Sequence, residues 1–199
     1  MNTTYCKDAI KKFEEKTGES CYSAVEVKLI CQIPPIEKMD EGLYVLEKCQ
    51  KLSLSTNAIT KMCDLSKLKK LKVLSLGRNN IKQITGLDQS SNLEELWISH
   101  NQIEKLDGLY SCTKLHTLFI NNNKIASWTE LDKLQSNSDL KTILLFGNPL
   151  YQDPDVVRNK NDAKFEVIRR LPQIESIDGA LVSAKDRQSA VDRDEAEFS

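Results

Sequence analysis

The sequence predicts an α/β solenoid, a right-handed coil of about six 22-residue units with a concave parallel sheet and helical caps at both ends. Three observations predict it. The segments CQKLSLSTNAI (49–59), LKVLSLGRNNI (71–81), LEELWISHNQI (93–103), LHTLFINNNKI (115–125) and LKTILLFGNPL (140–150) follow one template, L-x-x-L-x-L-x-x-N-x-L, with Ile or Cys at some leucine positions. Their asparagines, Asn57, Asn79, Asn101, Asn123 and Asn148, recur at steps of 22, 22, 22 and 25 residues. The chain has 199 residues and 40% hydrophobic content, enough for one sizeable core.

A template of this form at this period is that of a leucine-rich repeat, in which each unit contributes one short strand and a returning limb. Parallel strands joined by such limbs coil right-handedly. A single domain over residues 1–199 follows. Residues 4–20 carry Ala9, Ile10 and Phe13 at helical spacing, with Gly18 as the stop, and form an N-terminal helical cap. Residues 25–150 hold the repeats. The first is degenerate, with Val27 and Leu29 inward, Gln32 near the asparagine position, and Pro34 and Pro35 where the chain leaves the strand. The return limbs continue an apolar spacing at Ile84 and Leu87, at Leu106 and Leu109, and at Trp128, Leu131 and Leu134, which suits short helical or 3₁₀ turns. Ser127-x-x-Glu130 reads as a capping box, and Trp128 as core. Residues 151–180 form the C-terminal cap. In it Asn161 caps a helix bearing Phe165, Ile168 and Leu171, and Ile174 and Ile177 follow. Residues 181–199 are a terminal helix or tail that projects or frays, started by Ser183-x-x-Asp186.

The amide of each template asparagine both donates and accepts, so Asn57, Asn79, Asn101, Asn123 and Asn148 are expected to tie successive turns together. A formal charge of −1 argues against nucleic acid or a membrane surface as partner. No apolar run reaches the roughly 18 residues of a membrane span, and MNTTYCKDAIKKFEEK lacks a signal-peptide core. The six cysteines show no C-x-x-C pair and read as buried or half-buried thiols of a reducing compartment. Two histidines, His100 and His116, have no nucleophile or carboxylate at a useful spacing, and the chain has no phosphate loop or calcium-site spacing. No catalysis, metal or cofactor is expected.

Strand alternation makes the outward face computable. With the template leucines inside, Lys51, Ser53, Ser55, Val73, Ser75, Gly77, Glu95, Trp97, Ser99, Thr117, Phe119, Asn121, Thr142, Leu144 and Phe146 point out. Trp97, Phe119 and Leu144 then lie side by side on neighbouring strands with Phe146 close by. This apolar patch is where a protein partner is expected, with Val73, Glu95, Asn121 and Thr142 around it. Arg78, His100 and Asn122 line one rim. In the tail, Lys185, Arg187 and Arg193 are candidates for steering an acidic partner.

The 22-residue units and the RLPQIESIDG cap (170–179) resemble the SDS22-like leucine-rich-repeat proteins. More narrowly, IPPIEKMD (33–40), LSLSTNAI (52–59), LSLGRNNIKQI (74–84), LEELWISHNQI (93–103) and GNPLY (147–151) resemble the leucine-rich-repeat light chains of axonemal outer-arm dynein. The resemblance runs from KDAIKKFEE to the cap, while the DRDEAEFS end is more acidic than the family pattern. It implies a non-catalytic light chain in the cytoplasm and axoneme of a cilium or flagellum. Such a chain is monomeric by itself and binds the heavy-chain motor region at the microtubule-binding end of its stalk, with tubulin as a further contact. The alternatives are another SDS22-like scaffold, either a phosphatase regulator or a splicing subunit like U2 A-prime.

Overall fold

The computed structural model describes residues 3–159 and 161–197. Its centre is one eight-stranded sheet whose strands follow chain order. They are β1 (Glu26–Lys28), β2 (Lys51–Ser53), β3 (Val73–Ser75), β4 (Glu95–Trp97), β5 (Thr117–Phe119), β6 (Thr142–Leu144), β7 (Ser176–Ile177) and β8 (Ala180–Leu181). All neighbours pair in parallel except β7 and β8, which form an antiparallel hairpin. The last template repeat is therefore not the end of the sheet, because the C-terminal cap continues it. Asp178 and Gly179 make the hairpin turn with φ of 51° and 82°, values that fit a two-residue Asp-Gly loop.

The register is the one alternation predicts. Leu52, Leu74, Leu96, Leu118 and Ile143 stand opposite one another and are essentially inaccessible. Leu54, Leu76, Ile98, Ile120 and Leu145 fill the next inward position. The asparagine ladder closes each turn in the same way. In Asn101, the Nδ2 group donates to the Ile98 carbonyl of its own repeat and to the Leu76 carbonyl of the repeat before. Its Oδ1 accepts the Ile81 N–H at 2.9 Å. Asn57, Asn79, Asn123 and Asn148 repeat that pattern. The residue before each asparagine is left-handed in every turn: Thr56, Arg78, His100 and Asn122 have φ near 55°, and Gly147 has 75°.

Several local expectations need correction. Of the three limbs expected to be helical, those after β3 and β4 are plain turns; a further 3₁₀ helix, Glu41–Val45, lies in the limb between β1 and β2, and the third limb forms one at Trp128–Leu134. Ser127 does cap that helix, through the Thr129 N–H. Glu130 does not complete a capping box, however. Its carboxylate accepts the Leu106 N–H of the neighbouring repeat at 2.9 Å and pairs with Lys133. Asn161 makes no side-chain cap either. Asp162 instead ties down the loop that leads into the helix, accepting the N–H groups of Arg158 and Asn159. Cys31 is exposed rather than buried, because it occupies the left-handed turn of the degenerate repeat with φ 51°. All six cysteines are free thiols, and burial pushes those of Cys49 and Cys112 up to about 11.

The ends are sealed differently. Helix α1 (Cys6–Thr17) lays Cys6, Ala9, Ile10 and Phe13 against the first repeats and stops at Gly18 in the left-handed conformation. Helix α2 (Asp162–Arg170) buries Ala163, Val167 and Ile168 at the other end. Helix α3 (Ala184–Glu197) does not project. It starts from a reciprocal box between Ser183 and Asp186, packs on α2, and buries Ala190.

Candidate protein-binding face

Inward leucines on every strand force the intervening side chains onto the concave surface. Trp97 therefore pairs in register with Ser75 on one side and Phe119 on the other, and Phe119 with Leu144. The Trp97 and Phe119 rings stack, with centroids 5.8 Å apart and planes 20° from parallel. Trp97 is 39% exposed and Phe146 44%, while Phe119 and Leu144 are half-buried between them. The sequence-predicted apolar residues thus form one continuous floor across β4, β5 and β6.

The polar neighbours are largely committed. Glu95 accepts the Trp97 indole N–H at 3.0 Å, which leaves the ring face as the part of the tryptophan that has no partner. Asn121 is nearly buried, and its amide oxygen accepts from the Ser99 hydroxyl, so it braces the floor rather than standing at its edge. Thr142 and Val73 are half-buried at the lower ends of their strands.

Trp97 lies at the boundary of the floor, not its centre. On the β1 side of it the side chains shrink to Ser75, Ser53 and Ser55, and a groove of about 360 Å³ opens between Trp97 and Ile30. The serine hydroxyls bond to one another, Ser55 to Ser75 at 2.7 Å. Strand alternation places these serines on the outward face but does not reveal the groove. Its far wall belongs to the degenerate repeat, where no template fixes Lys28 and Ile30.

On the rim, Asn122 and His100 approach to 3.4 Å, with Arg78 next in line. The C-terminal candidates separate. Lys185 is exposed. Arg187 is used within the chain, donating to the Pro172 carbonyl at 2.7 Å and the Ile174 carbonyl at 2.6 Å. The side chain of Arg193 lies outside the described residues. Leu181, 79% exposed, pairs in register with Ser176 and so joins the concave side at its C-terminal edge. The Asp178-Gly179 pair was the signal that would have placed it there.

Among the described residues, no group of three or more His, Cys, Asp or Glu side chains is placed to hold a metal ion. No helix among them is long and apolar enough to cross a membrane.

Residues 91–136 match the family model for leucine-rich repeats (2 copies). The chain is 45% identical to dynein axonemal light chain 1 of Chlamydomonas reinhardtii, over 94% of its own length and 95% of that protein. It is also 45% identical to dynein axonemal light chain 1 of Mus musculus, over 93% and 96%. Among solved structures, a chain of the Drosophila melanogaster SNF/U2A′ complex superposes with a TM-score of 0.59 at 22% identity, over 71% of this chain and 83% of that one. At that identity the likeness is one of fold alone.

Proposed function

We propose, because the chain belongs to the dynein axonemal light chain 1 family of leucine-rich-repeat proteins, that its concave face holds a segment of a dynein heavy chain. On this reading it is a non-catalytic subunit of the outer-arm motor, seated near the microtubule-binding end of the stalk, where it modulates contact with the microtubule. Tubulin is a further contact. Its place is the axoneme of a cilium or flagellum, as the names of its relatives indicate. By itself the chain is a monomer.

One observation carries the reading. A tryptophan and a phenylalanine are stacked on the solvent side of a sheet whose other side already supplies the core. Aromatic side chains carry about 150–250 Å² of burial each, and a contiguous exposed group of them marks a partner site. Neither ring is needed to complete the core, so their placement makes sense as a surface for another chain.

Trp97→Ala is expected to melt like the parent and to weaken the complex by at least about 2 kcal/mol, mostly through faster dissociation. Phe146→Asp should do as much by setting a charge against an apolar partner. Both are measured by binding isotherms with the isolated heavy-chain stalk-tip domain, beside thermal melts. Parental binding by both variants would move the site off this face.

A further inference from the structure

We propose that the cleft between α1 and the open edge of β1 takes an extended, acidic segment of another polypeptide as an additional strand of the sheet. The site lies in the plane of the sheet, beyond its first strand, and does not depend on the concave-face reading above.

The hydrogen bonds of β1 are satisfied on one side only. It is the first strand of the sheet, so no strand lies beyond it. The Val25 carbonyl and the Leu29 and Cys31 N–H groups bond across to the segment of β2. By alternation the N–H and carbonyl groups of Glu26 and Lys28, and the Ile30 N–H, point the other way. Among the described residues none of these outward groups has a hydrogen-bond partner. The Ile30 carbonyl is taken by the Gln32 side chain at 3.2 Å. At the far end of the sheet, by contrast, Lys164 Nζ donates to the Leu181 carbonyl at 3.3 Å. A row of unpaired edge groups is a template for one more strand.

Space for that strand is present. Helix α1 seals the core beside β1 with Ala9 and Phe13, but it stands off the edge itself. A cleft of about 450 Å³ separates the helix from Glu26, Lys28 and Ile30. An added strand would lie about 4.8 Å from β1, and the four residue steps from Glu26 to Ile30 span about 13 Å, enough for four or five residues of a partner. A helix placed in the cleft would leave the edge groups unpaired, because its own backbone is already satisfied.

Charge selects the segment. Lys12 and Lys16 stand four residues apart on α1 and line the same wall of the cleft. Neither forms an ion pair among the described residues, and Lys12 only reaches the Ile33 carbonyl at 3.4 Å. Across the cleft Lys28 is neutralised by Glu26 at 3.1 Å, which leaves Glu19 as the single opposing charge of the lining. The balance is positive. A short edge strand bearing lysine resists pairing with apolar or basic edges, its own copies included. The same lysines admit a strand with carboxylates at alternate positions. The backbone bonds then carry the affinity, and the lysines set the choice of partner and the association rate.

The test uses the full chain and, as probe, a blocked octapeptide of alternating glutamate and valine, titrated to about 1 mM, the weak end of specific binding. Amide exchange at Lys28 and Ile30, read by NMR, should slow at least about fivefold. Two N-methylated peptides follow, one blocking the glutamate N–H groups and one the valine N–H groups. One should lose binding and the other keep it, since a strand pairs with β1 along one edge only. An alternating lysine and valine peptide should bind at least about tenfold more weakly, and Lys12→Glu with Lys16→Glu should reverse that preference. Lys28→Pro removes an outward donor without touching the ladder to β2 and should abolish the protection at Ile30. Trp97→Ala should bind the peptide like the parent. Unchanged exchange at the highest peptide concentration would overturn the proposal. So would equal behaviour of the two N-methylated peptides, which does not depend on any variant folding. Loss of peptide binding in Trp97→Ala would place the peptide on the concave face and overturn it as well.

Discussion

The two ends of the solenoid meet the same problem, an open sheet edge above an exposed core, and solve it with different forces. At the N-terminal end α1 does the work by apolar burial, with Cys6, Ala9, Ile10 and Phe13 all facing the repeats. At the C-terminal end α2 also buries Val167 and Ile168, and a polar closure is added to that burial. Asp178 turns back at the point where the parallel sheet stops. Its carboxylate accepts the Leu145 and Phe146 N–H groups at 2.6 and 3.0 Å and also the Tyr151 hydroxyl. Burial, with Asp178 beside it, pushes that hydroxyl's pKa well up, so it stays a donor. Beyond it, α3 is held by Lys164 on Asp186 at 2.7 Å and by Arg187 on two backbone carbonyls. The difference teaches that a repeat stack can be closed mainly by hydrophobic area, or by hydrophobic area joined to a side-chain acceptor for the free N–H groups beyond β6. The two closures should respond differently to mutation and to pH.

The largest expected effect is at the apolar end. Phe13→Ala should cost about 3 kcal/mol, the usual range for emptying an aromatic site in a core, and a urea titration measures it. A loss under about 1 kcal/mol would mean that α1 is an ornament. Asn101→Ala, in the middle of the stack, should cost about 1–3 kcal/mol by orphaning the buried Ile81 N–H and leaving the Leu76 and Ile98 carbonyls with one ladder amide each, those of Asn79 and Asn123. A melt matching the parent would refute the ladder's role. Asp178→Ala should cost about 1–2 kcal/mol, and hydrogen exchange should speed up at Leu145 and Phe146 while α1 amides stay protected.

The smallest effect is the acid response. Lys164 beside Asp186, with Ser183, holds the Asp186 carboxyl far below the usual carboxylate range. A carboxylate depressed in the folded state adds stability that is complete above its unfolded pKa and is lost as pH falls through the folded one. Docking of α3 should therefore survive at pH 4 and loosen only in stronger acid, whereas the apolar contacts of α1 do not titrate. Circular dichroism with exchange mapping between pH 5 and pH 2 reads this directly. Loss of α3 protection already at pH 5 would show that the Lys164 pair does not hold the helix.

What the sequence made legible was whatever the template constrains. Leu96 and Ile98 had to be inside, so Trp97 had to be outside, and the stack of Trp97 on Phe119 followed from strand spacing. Asn57 through Asn148 were legible for the same reason. What stayed hidden depended on distances between repeats that no single repeat encodes. Glu130 looked like a capping residue because its own helix offered it a partner, yet Leu106 of the neighbouring repeat offered a better one. Arg187 looked like free charge because the carbonyls of Pro172 and Ile174 are invisible in a charge pattern. The groove beside Trp97 required knowing how tall Ile30 stands in a repeat that lacks the motif.

The left-handed residue before each ladder asparagine has a consequence of its own. Thr56, Arg78, His100 and Asn122 hold a conformation that costs a residue with a Cβ about 1–2 kcal/mol, and only Gly147 escapes it. At Gly147 an added Cβ would also meet Asn122 Oδ1 at 2.3 Å, so that side chain would have to turn aside. At the exposed positions Thr56, Arg78 and His100 nothing of the core is involved. The protein thus carries thermodynamic headroom along a single line of surface residues. An engineer seeking a sturdier version of this scaffold would look first at Thr56, whose β-branched side chain suits that backbone least.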